Sequence, residues 1–115
     1  MQKTILVVSN KIEIYQPIWL NAAAGGFKLR LVDAYEEVSR IMPHSSVGVI
    51  VLDSDISNES AVSILKELRS SVHTRNLPVI VVASKDYEEE HLEMFDAGAD
   101  DVVGVPLPAR SFSHA

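Results

Sequence analysis

The chain has 115 residues, enough for one domain around one buried core, and its 47% hydrophobic and 23% charged residues exclude a disordered or low-complexity segment. Cysteine is absent, which removes disulfides, thiol catalysis and Cys-ligated metal centres. Sixteen Asp and Glu against ten Lys and Arg leave a net charge of −6, a poor match for nucleic acid or an anionic membrane surface.

In chain order, Thr4–Val8 is an apolar run that predicts a buried parallel strand. Met1-Gln2-Lys3 leads straight into it, so no signal peptide is read. The uncharged run from Gln16 to Phe27 is too short and too interrupted to span a bilayer. With no cysteine, this composition suits a cytoplasmic protein. Tyr15, Ile18, Trp19, Ala22 and Ala23 recur at helical spacing, Gly25-Gly26 end the helix, and Pro17 falls near its first turn if it begins near Glu13 and bends it if it begins earlier. Phe27–Val32 alternates Phe27, Leu29 and Leu31 with Lys28 and Arg30, as an edge strand does. Asp33 and Glu36 form a capping-box pattern ahead of the stripe Ala34, Val38, Ile41 and Met42, which Pro43 ends. Val47–Leu52 predicts a second buried strand, and Ala61, Ile64, Leu65 and Leu68 a further helix. Pro78–Val82 predicts another strand. Asp86 with Glu89 caps a helix expected to bury Leu92, Phe95 and Met94, and Gly98 takes its left-handed terminal position. Asp101–Val105 reads as the last buried strand.

Strands alternating with helices predict a doubly wound α/β fold with a five-stranded parallel sheet. The order 2-1-3-4-5 places the alternating second strand at an edge. Residues 1–107 form this domain. Residues 108–115 read as a tail or a truncated remnant of a fifth helix, because the chain after Pro106 offers only Leu107 and Phe112 as large apolar residues. A sheet face left open there predicts self-association as a homodimer, or docking of another segment of a longer chain.

In such sheets the functional crevice lies beyond the carboxyl ends of the strands. There the chain offers Ser9-Asn10, Asp53-Ser54-Asp55, Ala83-Ser84 and Val105-Pro106. Asp53 suits a nucleophile, a metal ligand or a helix cap, and Asp55 a second ligand or a cap. No glycine-rich loop follows the first strand, so a dinucleotide site is not indicated. His44, His73, His91 and His114 have no ligand partner at helical spacing and read as surface residues.

Three segments resemble the receiver domain of two-component response regulators. Ile5-Leu6-Val7-Val8 is similar to its first strand, and Val49-Ile50-Val51-Leu52-Asp53 to the strand that ends in the phosphoacceptor. Pro78–Val82, Ala97-Gly98-Ala99-Asp100-Asp101 and Pro106 together are similar to its closing region, the most specific of the three. The resemblance implies a signalling module, not an enzyme, with Asp53 as the phosphoacceptor equivalent. It also implies positions where this chain departs from the pattern. The acidic pair that would hold magnesium falls on Ser9 and Asn10, the hydroxyl residue after the fourth strand on Ala83 with Ser84 one residue late, the switch aromatic on Val102, and the lysine before Pro106 on Val105.

Phosphoryl transfer to a carboxylate gathers negative oxygens that a metal and a lysine normally offset. Without them the chain reads as a degenerate, or pseudo-, receiver. It is expected to act by contact with a signalling protein or an output domain of its own chain, with no cofactor, no direct nucleic-acid contact and no membrane. The alternative is a phosphorylatable receiver in which Asp53 and Asp55, with Asn10, hold magnesium.

Overall fold

A computed structural model describes residues 3–10, 24–42, 46–54, 60–83 and 88–104. The expected N-terminal helix with Pro17, the Asp86 cap and the tail after Pro106, with the self-association expected of it, lie outside the described residues.

Five parallel strands form one sheet: β1 (Thr4–Val8), β2 (Lys28–Val32), β3 (Val47–Asp53), β4 (Val79–Ala83) and β5 (Asp101–Gly104), in the order β2-β1-β3-β4-β5. The expected order is therefore the observed one. β3 runs one residue further than its apolar run because Asp53 still pairs with Val82, and the Ser54 N–H donates to the Val82 carbonyl at 2.9 Å. β4 begins after Pro78, which has no N–H to give; the Pro78 carbonyl still accepts from the Ile50 N–H at 3.0 Å.

The two edges look alike. On β2, Lys28 and Arg30 are exposed while Leu29 and Leu31 are half-buried. β5 is the opposite edge, as the order requires, but it is not buried as its apolar run predicts: Asp101 and Gly104 are exposed and Val102 and Val103 half-buried. A short apolar run does not by itself distinguish a central strand from an edge one.

Alternation along the strands makes two apolar faces. On one, Leu6, Val8, Ile50, Leu52, Val79 and Val81 pack against the described helices. On the other, Val7, Val51 and Val82 form a second cluster with Ile5, Leu29, Leu31 and Val103. The helices are α1 (Val38–Ile41), preceded by a 3₁₀ turn over Tyr35–Glu37, α2 (Ala61–Ser70) and α3 (Glu88–Ala97).

The capping box expected of Asp33 and Glu36 does not form. The N-cap of the 3₁₀ turn is Ala34, and no side chain caps it. Asp33 thus precedes the cap position and Glu36 is the second residue of the turn, one place out of register for the reciprocal bonds. Val38 and Ile41 are nonetheless buried as expected. On α2 the stripe Ala61, Ile64, Leu65 and Leu68 is buried, and Ser60 caps the helix by accepting from the Ser63 N–H at 3.2 Å.

α3 departs from expectation. Met94 is buried, but Leu92 and Phe95 are 62% and 44% exposed. The inward stripe runs through His91, Met94, Ala97 and Gly98, all buried or half-buried. At about 100° per residue, Leu92 points roughly opposite to Met94. Composition alone favours the larger side chains, whereas packing selects the stripe.

Gly98 has φ +120°, and a Cβ there would lie 2.7 Å from Arg69 Cγ and 2.9 Å from Arg69 Nε. Gly98→Ala is therefore expected to cost about 2 kcal/mol or more, from backbone strain and from displacing Arg69. Urea denaturation checks this, and an unchanged midpoint would contradict it.

Candidate functional site

Register brings the site together. Val8 of β1 lies opposite Val32 of β2 and Leu52 of β3, so Ser9 and Asp53 emerge side by side at the carboxyl edge of the sheet. Ser9 is two residues past Val7 and Asp53 two past Val51, so both side chains share the face of the second apolar cluster. The Ser9 N–H donates to the Val32 carbonyl at 2.9 Å, which extends the ladder and fixes its backbone. Its hydroxyl then donates to Asp53 Oδ2 at 2.7 Å. Ser9 is 0% exposed and Asp53 3%. A carboxylate removed from water in this way needs donors, and a hydroxyl at this distance is a strong one.

The remaining positions divide. Asn10 is described and exposed. Ala83 is buried at the end of β4 opposite Gly104, and its methyl group offers no hydrogen bond. Val102 pairs with Val81 in the strand ladder and packs against the larger core cluster, so it is a core contact. Asp55, Ser84, Val105 and Pro106 lie outside the described residues. Of the histidines, His73 is exposed and His91 half-buried on α3; His44 and His114 lie outside the described residues. A cavity of about 320 Å³ between α1 and α2, lined by Val38, Met42 and Leu68, contains none of the site residues.

A hard divalent cation takes oxygen ligands, with carboxylates foremost. Among the described residues no group of three His, Asp or Glu side chains is placed to hold a metal. The described donors at the site are one carboxylate, a hydroxyl whose proton is committed to that carboxylate, and an exposed amide. The described residues thus supply one carboxylate, and Asp55, the second expected ligand, lies outside them.

Sequence reading identifies Ser9 and Asp53 separately but not their bond, because 44 residues separate them. It also misses Arg69, whose guanidinium donates to the carbonyls of Gly98, Leu77 and Arg75 and pairs with Asp100 at 2.8 Å. Asp100 Oδ2 also accepts from the Val79 N–H at 2.7 Å. These groups lie at the amino ends of β4 and β5, away from Asp53, and serve the fold.

Residues 5–113 match the family model of the response regulator receiver domain. The chain belongs to this family. The phosphate regulon transcriptional regulatory protein PhoB of Escherichia coli K12 is 24% identical over 110 residues, which are 96% of this chain and 48% of PhoB. PhoB of Pseudomonas aeruginosa is 22% identical over 108 residues, 94% of this chain and 47% of that protein. The chain thus spans about half the length of these relatives.

Among solved structures, a response regulator from Thermotoga maritima superposes with a TM-score of 0.86 at 15% identity, covering 99% of this chain and 93% of that one. The receiver domain of the sensor histidine kinase PA1611 from P. aeruginosa, which holds a magnesium ion in its active-site cleft, superposes with a TM-score of 0.81 at 18% identity, covering 99% and 93%. These likenesses show the receiver fold. Asp53 ends β3 as the resemblance implied.

Proposed function

We propose that this receiver domain is a non-enzymatic signalling module that works by protein–protein contact without a phosphoswitch. The observation that carries this reading is the hydrogen bond from the Ser9 hydroxyl to a buried Asp53. A nucleophilic carboxylate must be reachable and must have cations nearby to accept an incoming phosphoryl group. Asp53 is 3% exposed, and its Oδ2 is engaged by the neutral Ser9 hydroxyl. Ala83 has no hydroxyl to grip a phosphoryl oxygen, and Val102 is a half-buried apolar residue packed against the core.

The contact partner is a signalling protein or an output domain of the same chain, a reading supported by relatives about twice as long as this chain. A homodimer is the default symmetric form of such contact. No described helix is long and apolar enough to cross a membrane, and a cytoplasmic setting is part of the proposal.

The test is phosphoryl incorporation. The chain is incubated with magnesium and a small phosphodonor, and the intact protein is weighed. No added phosphoryl mass is expected. A phosphoryl adduct that disappears in Asp53→Asn would establish the alternative, a phosphorylatable receiver with atypical metal ligands.

A further inference from the structure

We propose that Ser9 stands in for a divalent cation at Asp53, so that the tie between the carboxyl ends of β1 and β3 forms without metal and does not respond to it. The geometry is that of a finished contact. Ser9 is 0% exposed, its backbone is pinned to β2 by the bond to Val32, and its hydroxyl meets Asp53 Oδ2 at 2.7 Å. The carboxylate is as closed off, at 3% exposure.

A charge buried to this degree persists only when paired or hydrogen-bonded. Two carboxylates at these positions would be like charges in contact in a water-excluded site, and a bound cation or a retained proton would have to offset them. A hydroxyl reverses the sign of the interaction. It presents the positive end of its O–H dipole to the carboxylate and brings no charge of its own. Asn10, the next residue, is exposed and also neutral. A cation arriving at the described edge of the sheet would therefore meet Asp53 with Oδ2 already accepting from Ser9, and no second carboxylate among the described residues beside it.

The proposal rests on Asp53 being an unreactive carboxylate, but its test reads stability and cation binding instead of phosphoryl incorporation, so either can fail alone. Thermal unfolding of the 115-residue chain is followed in EDTA and in millimolar magnesium chloride. The unaltered chain is expected to melt at the same temperature in both, within about 1 °C, and calorimetry with manganese is expected to show no binding.

Ser9→Ala leaves Asp53 without that donor and is expected to lower the melting temperature by about 5 °C in both solutions. Ser9→Asp is expected to fall by about 10 °C or more in EDTA and to recover most of that loss with magnesium. If Ser9→Asp does not fold in EDTA, folding on addition of magnesium is the same result. A magnesium-dependent rise in the melting temperature of the unaltered chain, or manganese binding to it, would overturn the proposal. So would an unchanged melting temperature for Ser9→Ala.

Discussion

Replacing Arg69 with methionine is expected to destabilise the domain by about 2–3 kcal/mol, lowering the melting temperature by roughly 10 °C. The side chain leaves α2 and ties together three other parts of the fold. Nε and one terminal nitrogen donate to the Gly98 carbonyl at 2.9 and 2.6 Å, just past the end of α3. The other terminal nitrogen donates to Leu77 at 2.6 Å and Arg75 at 3.1 Å, in the turns before β4. Asp100 completes the set at 2.8 Å and is itself bonded to the Val79 N–H.

The ion pair is the smaller part of this effect. Asp100 is 55% exposed, and exposed pairs contribute at most about 1 kcal/mol. The larger part is the set of carbonyls left without a donor, since hydrogen bonds to charged groups are worth about 1.5–3 kcal/mol where they are partly buried. Methionine keeps an unbranched apolar stem as far as the Nε position, so the comparison isolates the guanidinium. Lysine is expected to recover less than half of the loss, because a single ammonium cannot reach Leu77 and Gly98 in the arginine fork's geometry. The control is Arg75→Met at an exposed position, expected to stay within about 0.5 kcal/mol. Urea denaturation of the three variants decides: if Arg69→Met is no worse than Arg75→Met, the clamp contributes nothing to stability.

The second large effect concerns reactivity. Restoring both acidic positions, as Ser9→Asp with Asn10→Asp, is expected to bring phosphoryl incorporation at Asp53 in magnesium from below detection in the unaltered chain to a measurable adduct, a rate gain of about 30-fold or more. Losing one partner of a buried charge-assisted contact costs about 2–5 kcal/mol, and about 1.4 kcal/mol is tenfold in rate. Two acids beside Asp53 would turn a hydroxyl-bonded carboxylate into a metal site, and the metal would offset charge on the transferring group.

The gain is expected to be partial. Ala83 is still a methyl group at the end of β4, and the position of the missing lysine still holds Val105. Adding Val105→Lys to the pair is expected to raise incorporation again by a comparable factor. The measurement is the time course of the phosphoryl adduct by intact mass, with Asp53→Asn as the blank. Incorporation by the unaltered chain equal to that of the double variant would mean that Ser9 and Asn10 are not what limits the chemistry.

Some of this site is legible in the residues and some is not. Asp53 is legible because a carboxylate ending an apolar run in an α/β pattern marks the carboxyl edge of the sheet, where register then places it beside Ser9. The neutral character of Ser9, Asn10 and Ala83 is legible too, since it follows from identity alone. That Ser9 bonds Asp53 is not, because the bond depends on two strands meeting in one register and one face.

The helices divide the same way. The buried stripe of α2 is written in its spacing, whereas α3 carries several large apolar residues and only contact with its neighbours decides that Met94 turns inward and Leu92 and Phe95 outward. Arg69 shows the limit most clearly. In sequence it is one more charged residue near the end of a helix, and its bonds reach Gly98 and Asp100, 29 and 31 residues away. Local pattern set the order of strands and helices, the edge position of β2 and the chemical poverty of the site, because those follow from periodicity and residue type. Tertiary packing decided which polar groups meet, because a hydrogen bond between distant residues is fixed by strand register and helix rotation, and neither is encoded in any single segment.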